Sequence, residues 1–380
     1  MSFSNLRMKI IEKILLVCKK KPKKKIQLLD DTDVKRILII SNKLLGDFLF
    51  CTPAIASLKE KYPHAEIMAV LSEKNRGIVD NCAYINQVVY MENQTLSVLK
   101  AIPKIKKFRP ELAVSFHSRT PYDLIAATLA GCRYIAKHYF NNDIKKLIPL
   151  CDIHVIDKTR PPVINHLSLV KALGCNIDNK KMFFPCRIAQ KQPNQGINVG
   201  FQLGASKSNR YLPNSVILPL IPRLLTHFNP CQIHLFGAPH EITLGEAFIA
   251  GLDEACAARV VNHIGKTTLP MLAHRLNEID ILITPDTGTL HVATALQVKT
   301  VSLFTRRQSN GCEPVQDRHL HRVVYAADFN PAALDRSCAA PFTFIPSDYI
   351  WQQIRELMDD EKPESSTVPV ENQLKTLSGQ

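Results

Sequence analysis

From Lys35 onward, short apolar runs alternate with stretches of helical periodicity. The run Ile37 to Ile40 has strand length, and after a loop the apolar positions Leu49, Ile55 and Leu58 recur at helical spacing up to Tyr62. This predicts the opening of a βαβ unit, its helix continuing through Pro53. Apolar runs at 67–71, 88–90 and 112–116 then alternate with helix-like stretches near 95–107 and 121–130. Continuous apolar strands separated by helices indicate a parallel sheet covered on both faces. A first α/β domain is expected over 35–160.

Between 141 and 195 the pattern loosens, with Pro161, Pro162, Pro185 and Pro193 around one helical stretch at Val163 to Leu173. Residues 161–195 are expected to connect two domains. A second alternation follows, with strands at 197–201, 233–236, 260–262, 281–284 and 300–303 and helices from Asn214, Pro239, Leu269 and Thr289. It predicts a second domain over 196–358, closed by a helix near Asp348 to Met358. Two Rossmann-like doubly wound domains would then face each other across a cleft. The polar segment 359–380 has the composition of a disordered tail.

Composition narrows the class. With 380 residues, 46% hydrophobic and 22% charged, the chain has material for a sizeable core. Its 48 Lys+Arg against 34 Asp+Glu give a formal charge of +14, which suits a phosphate-bearing partner. The 11 cysteines are scattered singly with no CxxC pair, which argues against a disulfide framework or thiolate metal site and for a reducing cytoplasm. Residues 1–34 form a basic segment. Its apolar run Ile14 to Cys18 is far short of the roughly 20 residues a membrane span needs. The Lys19 to Lys25 tract replaces a cleavage site. Leu6, Ile10, Ile14 and Val17 fall on one helical face beside Arg7, Lys9 and Lys13, so the segment either lies on an anionic membrane surface or is a solvated tail.

Ligands of open α/β sheets bind beyond the carboxyl ends of the strands. In the loop after the first strand, Asp47 sits at or just before a helix start, placed either to cap it or to serve as a general base. After 281–284, Pro285-Asp286-Thr287-Gly288-Thr289-Leu290-His291 opens a helix of small residues. Its first N–H groups suit an anion; alternatively Asp286 caps the helix and His291 packs beneath it. The loop Gly204 to Pro213 supplies Ser206, Lys207 and Arg210 directly after a strand, enough to embrace a diphosphate, or else a solvated basic loop.

The three segments in this order, Leu45-Gly-Asp-Phe-Leu-Phe-Cys-Thr-Pro-Ala-Ile55, the Gly-Ala-Ser loop, and Asp286-Thr-Gly-Thr-Leu-His-Val-Ala-Thr-Ala-Leu296, resemble glycosyltransferase family 9, the heptosyltransferases of the lipopolysaccharide core. The resemblance implies a GT-B fold, an ADP-heptose donor, inversion at the anomeric carbon, no metal or other cofactor, and a lipopolysaccharide core acceptor at the inner membrane. It places Asp47 as base, Ser206 and Arg210 at phosphates, Glu241 at the ribose and Thr267 near the adenine. Asp286 would meet sugar hydroxyls, and Thr287, Gly288 and His291 would lie at or near the phosphates. Two departures stand out. Leu212-Pro213 replaces a common Trp-Pro, and the loop after Leu303 reads Phe-Thr-Arg-Arg-Gln-Ser-Asn-Gly instead of a Gly-Pro-Thr type.

An inverting transfer needs a base on one face of the anomeric carbon and anion stabilisation on the other, which the two domains would divide. The single Asp-x-Asp, Asp31 to Asp33, precedes the first strand, so no metal is expected. Two alternatives remain at this level. One is a relative using another donor, such as a UDP-linked N-acetylhexosamine. The other is a non-catalytic protein binding anionic membrane or nucleic acid, although no nucleic-acid module accompanies the charge.

Overall fold

The structure, a computed structural model, describes residues 12–139, 147–156, 161–191, 195–307 and 311–359. Two all-parallel, six-stranded sheets organise it. The first contains β1 (Arg36–Ile40), β2 (Glu66–Leu71), β3 (Gln87–Tyr90), β4 (Leu112–Ser115), β5 (Tyr134–Tyr139) and β6 (Ile153–Ile156), in the order β3-β2-β1-β4-β5-β6. The second contains β7 (Ile197–Gln202), β8 (Cys231–Phe236), β9 (Val260–Asn262), β10 (Ile281–Pro285), β11 (Lys299–Phe304) and β12 (His321–Tyr325), in the order β12-β11-β10-β7-β8-β9. Read from β9, the second order repeats the first. Each sheet therefore reverses its winding between its first and fourth strands, at β1/β4 and β7/β10, and those switch points are where ligands lodge.

Helices cover both faces, as parallel sheets require. In the first domain they are α1 (12–18), α2 (Leu45–Leu49), α3 (Thr52–Lys61), α4 (Thr95–Phe108), α5 (Tyr122–Leu129) and α6 (Pro162–Ala172). The second adds α7 (Asn214–Ile217), α8 (Leu220–His227), α9 (Ile242–Ala250), α10 (Glu254–Ala257), α11 (Leu269–Asn277), α12 (Gly288–Ala295) and α13 (Ser347–Asp359). One apolar cluster, with Leu38, Met68, Val98, Ile105 and Leu124, fills one face of the first sheet. The other face opens into a cluster that crosses the domains, joining Phe48, Leu58 and Leu167 to Leu276, Val292 and Ala293. The remainder of the second domain has its own core around Phe201, Leu224, Ile283 and Ile354.

Local chemistry sets the differences from expectation. The helix expected to run on through Pro53 is two helices, α2 and α3. Pro53 has no N–H to offer the Leu49 carbonyl, and the Thr52 hydroxyl donates to that carbonyl instead at 2.8 Å. The helix from Asn214 likewise breaks into α7 and α8 at Pro219. Strands β5, β6 and β12 had no sequence signal, because each carries polar residues. In β5, Lys137 is 1% exposed and is held by Asp123, itself 0% exposed, and by Ser115.

The described part of the N-terminal segment is docked. Leu15 is buried in the first-domain core, Lys19 pairs with Asp152 at 2.9 Å, and the Lys23 and Lys24 N–H groups donate to the Tyr134 hydroxyl at 3.2 and 3.1 Å. Leu6, Ile10 and the tail from 360 lie outside the described residues. Among those described, no helix is long and apolar enough to cross a membrane.

Candidate active site

The seam between the domains forms where α2 crosses α12, and two glycines make the crossing possible. A Cβ on Gly46 would lie 2.4 Å from His291 Cδ2, and one on Gly288 would lie 3.1 Å from Leu45 Cδ2. The small residues after each switch-point strand therefore let one helix start from each domain approach closely. The ionisable groups of both loops gather there.

Asp47 is the third residue of α2 and not its cap. Its Oδ2 accepts the Leu44 N–H at 3.1 Å, and its Oδ1 lies 3.2 Å from His117 Nδ1. Burial pushes its carboxyl above the ordinary range; the Leu44 N–H and the Lys43 ammonium oppose that rise, and Asp286 adds to it. His117, just past the end of β4, is held well below its usual pKa by burial and by neighbouring Lys43, His138 and Lys137, so its ring is neutral at physiological pH. Burial lowers Lys43 as well, against the pull of Asp47. A proton acceptor whose affinity is raised, set between a neutral imidazole and an ammonium, suits proton abstraction near neutrality.

Across the seam, Arg210 Nη1 pairs with Asp286 Oδ2 at 3.1 Å, and its Nη2 donates to Ser206 Oγ. Asp286 does not cap α12. Thr287 occupies that position, and its hydroxyl lies 3.2 Å from that of Thr284. His291 is buried, its ring 4.5 Å from that of Phe50 and its Nε2 3.8 Å from Asp286 Oδ1, and burial lowers it to about 4. It is packed beneath the helix and faces α2. Lys207 is exposed and turns away from this group, toward the end of β11.

Glu241 is buried behind the loop. Its Oε2 accepts the Ala238 N–H at 2.8 Å and Gln202 Nε2 at 3.2 Å, while Gln202 Oε1 accepts the Thr289 hydroxyl at 2.8 Å. A Cβ on Gly204 would meet Glu241 Oε1 at 2.1 Å. The carboxylate that the resemblance assigns to a ribose is thus turned under the Gly204 loop, tying β7, β8 and α12 together. Thr267 is half-buried in the β9–α11 loop, apart from this network. Sequence reasoning missed His117, Lys43 and Gln202. All three follow or end a switch-point strand, a position that would have singled them out once the strand order was known.

Among the described residues, one group could hold a metal: ligand atoms of Asp286, His291 and Cys312 lie within 4.8 Å of one another. The Arg210 guanidinium on Asp286 opposes a cation there.

Comparison with known proteins agrees with this arrangement. Residues 165–334 match the model of glycosyltransferase family 9 (heptosyltransferase). Lipopolysaccharide heptosyltransferase 3 of Escherichia coli is 23% identical over 286 residues, covering 68% of this chain and 80% of that protein. A family 9 glycosyltransferase from Veillonella parvula superposes with a TM-score of 0.74 at 17% identity, covering 87% of this chain and 98% of its own. The E. coli ADP-heptose lipopolysaccharide heptosyltransferase II gives 0.69 at 19% identity, covering 86% and 100%. A match to the family 9 model over residues 165–334, borne on two facing doubly wound sheets of the GT-B type, makes this chain a glycosyltransferase similar to those of family 9.

Proposed function

We propose that the protein transfers a heptose from ADP-heptose to a lipopolysaccharide core acceptor, with inversion and without a metal. One observation carries the reading: a half-buried carboxyl of raised pKa, Asp47, faces an Arg210–Asp286 pair at the start of α12 across the seam. The base and the anion-stabilising group thereby stand on opposite domains, as an in-line displacement at an anomeric carbon needs. The acceptor hydroxyl binds on the first domain, where Asp47 takes its proton as the new bond forms. The donor diphosphate binds on the second, exchanging with Asp286 for the Arg210 guanidinium and meeting Ser206 and the α12 N–H groups, while Asp286 turns to sugar hydroxyls. A guanidinium and a helix start offset the charge that grows on the leaving nucleotide, the task a divalent ion performs in other sites. Relatives that act on ADP-heptose and lipopolysaccharide support this donor and acceptor.

The acceptor's membrane anchorage gives the N-terminal segment a role. Leu15 fixes α1 to the first domain while Ile14 and Val17 project outward, Val17 87% exposed, beside Lys13, Lys20 and Lys21. Such a face suits an anionic bilayer surface on the cytoplasmic side.

Asp47→Asn tests the mechanism. The amide oxygen still accepts the Leu44 N–H, so thermal stability and ADP binding should hardly change, while turnover of ADP-heptose with a truncated core acceptor falls by roughly 100-fold or more. The parent's rate should survive EDTA, and its acidic limb should lie above the ordinary carboxylate range. Near-parental turnover of Asp47→Asn removes the base assignment, and strict dependence on a divalent ion removes the metal-free one.

A further inference from the structure

The two cations of the Gly204 loop point to different places. Arg210 turns inward to Asp286 and Ser206, at the end of β10. Lys207 instead lines a separate cavity of about 330 Å³ at the end of β11, walled by Asn209, Thr305, Arg306, Asp335 and Arg336 among others. The Phe304-Thr-Arg-Arg departure noted in the sequence supplies one of these walls.

The cavity wall carries three cations against one carboxylate. Arg307, next in sequence to Arg306, is satisfied by Asp328 at 2.8 Å. No such ion pair engages Lys207, Arg306 or Arg336 among the described residues. The one carboxylate in the wall, Asp335, is taken up by the Ser337 N–H at 2.8 Å and hydroxyl at 2.7 Å. Asn209 Oδ1 in the same wall is buried and has no hydrogen-bond partner among the described residues. A buried acceptor left unpaired is destabilising, and a ligand hydroxyl would offset that. Three cations ask for a phosphate, and the amide oxygen asks for a hydroxyl next to it.

We propose that this cavity binds a phosphorylated sugar, a phosphate monoester on the acceptor saccharide, as a specificity site one strand outward from the donor diphosphate. Assigning the phosphate to the acceptor rests on the glycosyl-transfer reading; the binding itself does not. Arg210 does not line the cavity but turns to Asp286 and Ser206, so donor and monoester bind side by side. Lys207, Arg306 and Arg336 hold the phosphate, and Asn209 accepts the neighbouring hydroxyl.

The test uses the full chain and calorimetric titration with glucose 6-phosphate, glucose, inorganic phosphate and ADP. The parent should bind glucose 6-phosphate saturably and glucose not at all. Arg306→Gln with Arg336→Gln, both on exposed side chains, should weaken glucose 6-phosphate by roughly tenfold or more and leave ADP within about twofold. Asn209→Ala should weaken glucose 6-phosphate and spare inorganic phosphate. No saturable binding of glucose 6-phosphate by the parent overturns the site, as does a parallel loss of ADP binding in the arginine variant, which would make the cavity part of the nucleotide site. Binding as expected in a protein that fails to transfer heptose would leave the site standing and sink the transfer reading alone.

Discussion

Gly46→Ala isolates what the α2–α12 crossing does. Gly46 lies inside α2 with ordinary helical backbone, so alanine is locally favourable there by up to about 1 kcal/mol. The added Cβ, however, would stand 2.4 Å from His291 Cδ2, against the roughly 3.5–4.0 Å of a carbon contact. Something must retreat by more than about 1 Å. His291 has little room to do so, because it is buried and the Phe50 ring lies tilted against it at 4.5 Å. The movement falls on the seam, where overpacking costs about 1–3 kcal/mol, more than the helix gains. A misplacement of this size between a base and its reacting atoms can cost about 100-fold in rate. Gly46→Ala should therefore keep each domain folded and ADP binding near parental, while turnover falls roughly 100-fold and the radius of gyration in solution scattering rises. Gly288→Ala, which meets Leu45 at 3.1 Å, should show the same change more mildly. Parental turnover and an unchanged scattering profile for Gly46→Ala would refute the claim that this crossing sets the site.

Arg210→Ala should weaken ADP binding and slow transfer together, by roughly tenfold or more each, since one charge-assisted contact to phosphate is lost and Asp286 is left without its cation; unchanged kinetics would remove Arg210 from the site. The buried histidines predict acid sensitivity. His234, His291 and His321 are each lowered to about 4 by burial, so the unfolded chain binds more protons than the folded one between about pH 4 and 6.5. Stability is full above 6.5 and is lost as pH falls toward 4, by several kcal/mol in sum; a denaturation midpoint flat over that range would contradict it. Replacing Ile14 and Val17 by Asp should leave melting unchanged, because Leu15 carries the docking, and should lower binding to anionic liposomes, most at low salt; equal binding would detach α1 from the membrane role.

The sequence exposed whatever depends on continuous apolar runs. Strands β1, β2, β4, β7, β8, β10 and β11 are largely buried and read as such, and their division between two doubly wound domains followed from alternation. The strands it hid are those whose polar residues are stabilised at a distance. Lys137 makes β5 look like a loop until Asp123, on α5, is brought beneath it. The site divides the same way. Asp47, Arg210 and Asp286 announced themselves by loop position, whereas His117 and Gln202 meet Asp47 and Thr289, neighbours 70 and 87 residues away.

Gly288 shows most plainly where one-dimensional reading stops. Its place in the Asp286 to His291 loop suggests a backbone kept bare for a phosphate, and its helical start is consistent with that. The space its missing Cβ would fill, however, belongs to Leu45 of the other domain. Gly46 in turn keeps its space for His291 of the second domain. Each domain thus keeps a glycine for the other at the point where its own ligand loop begins, so the contact that joins the domains and the surface that meets the substrates are built from the same residues. Substitution there cannot change substrate binding without also changing how the domains meet, which is why the stability of the fold and the rate of transfer should separate in Gly46→Ala: the cores around Leu38 and Phe201 are untouched, and the shift falls on the cluster that crosses the seam.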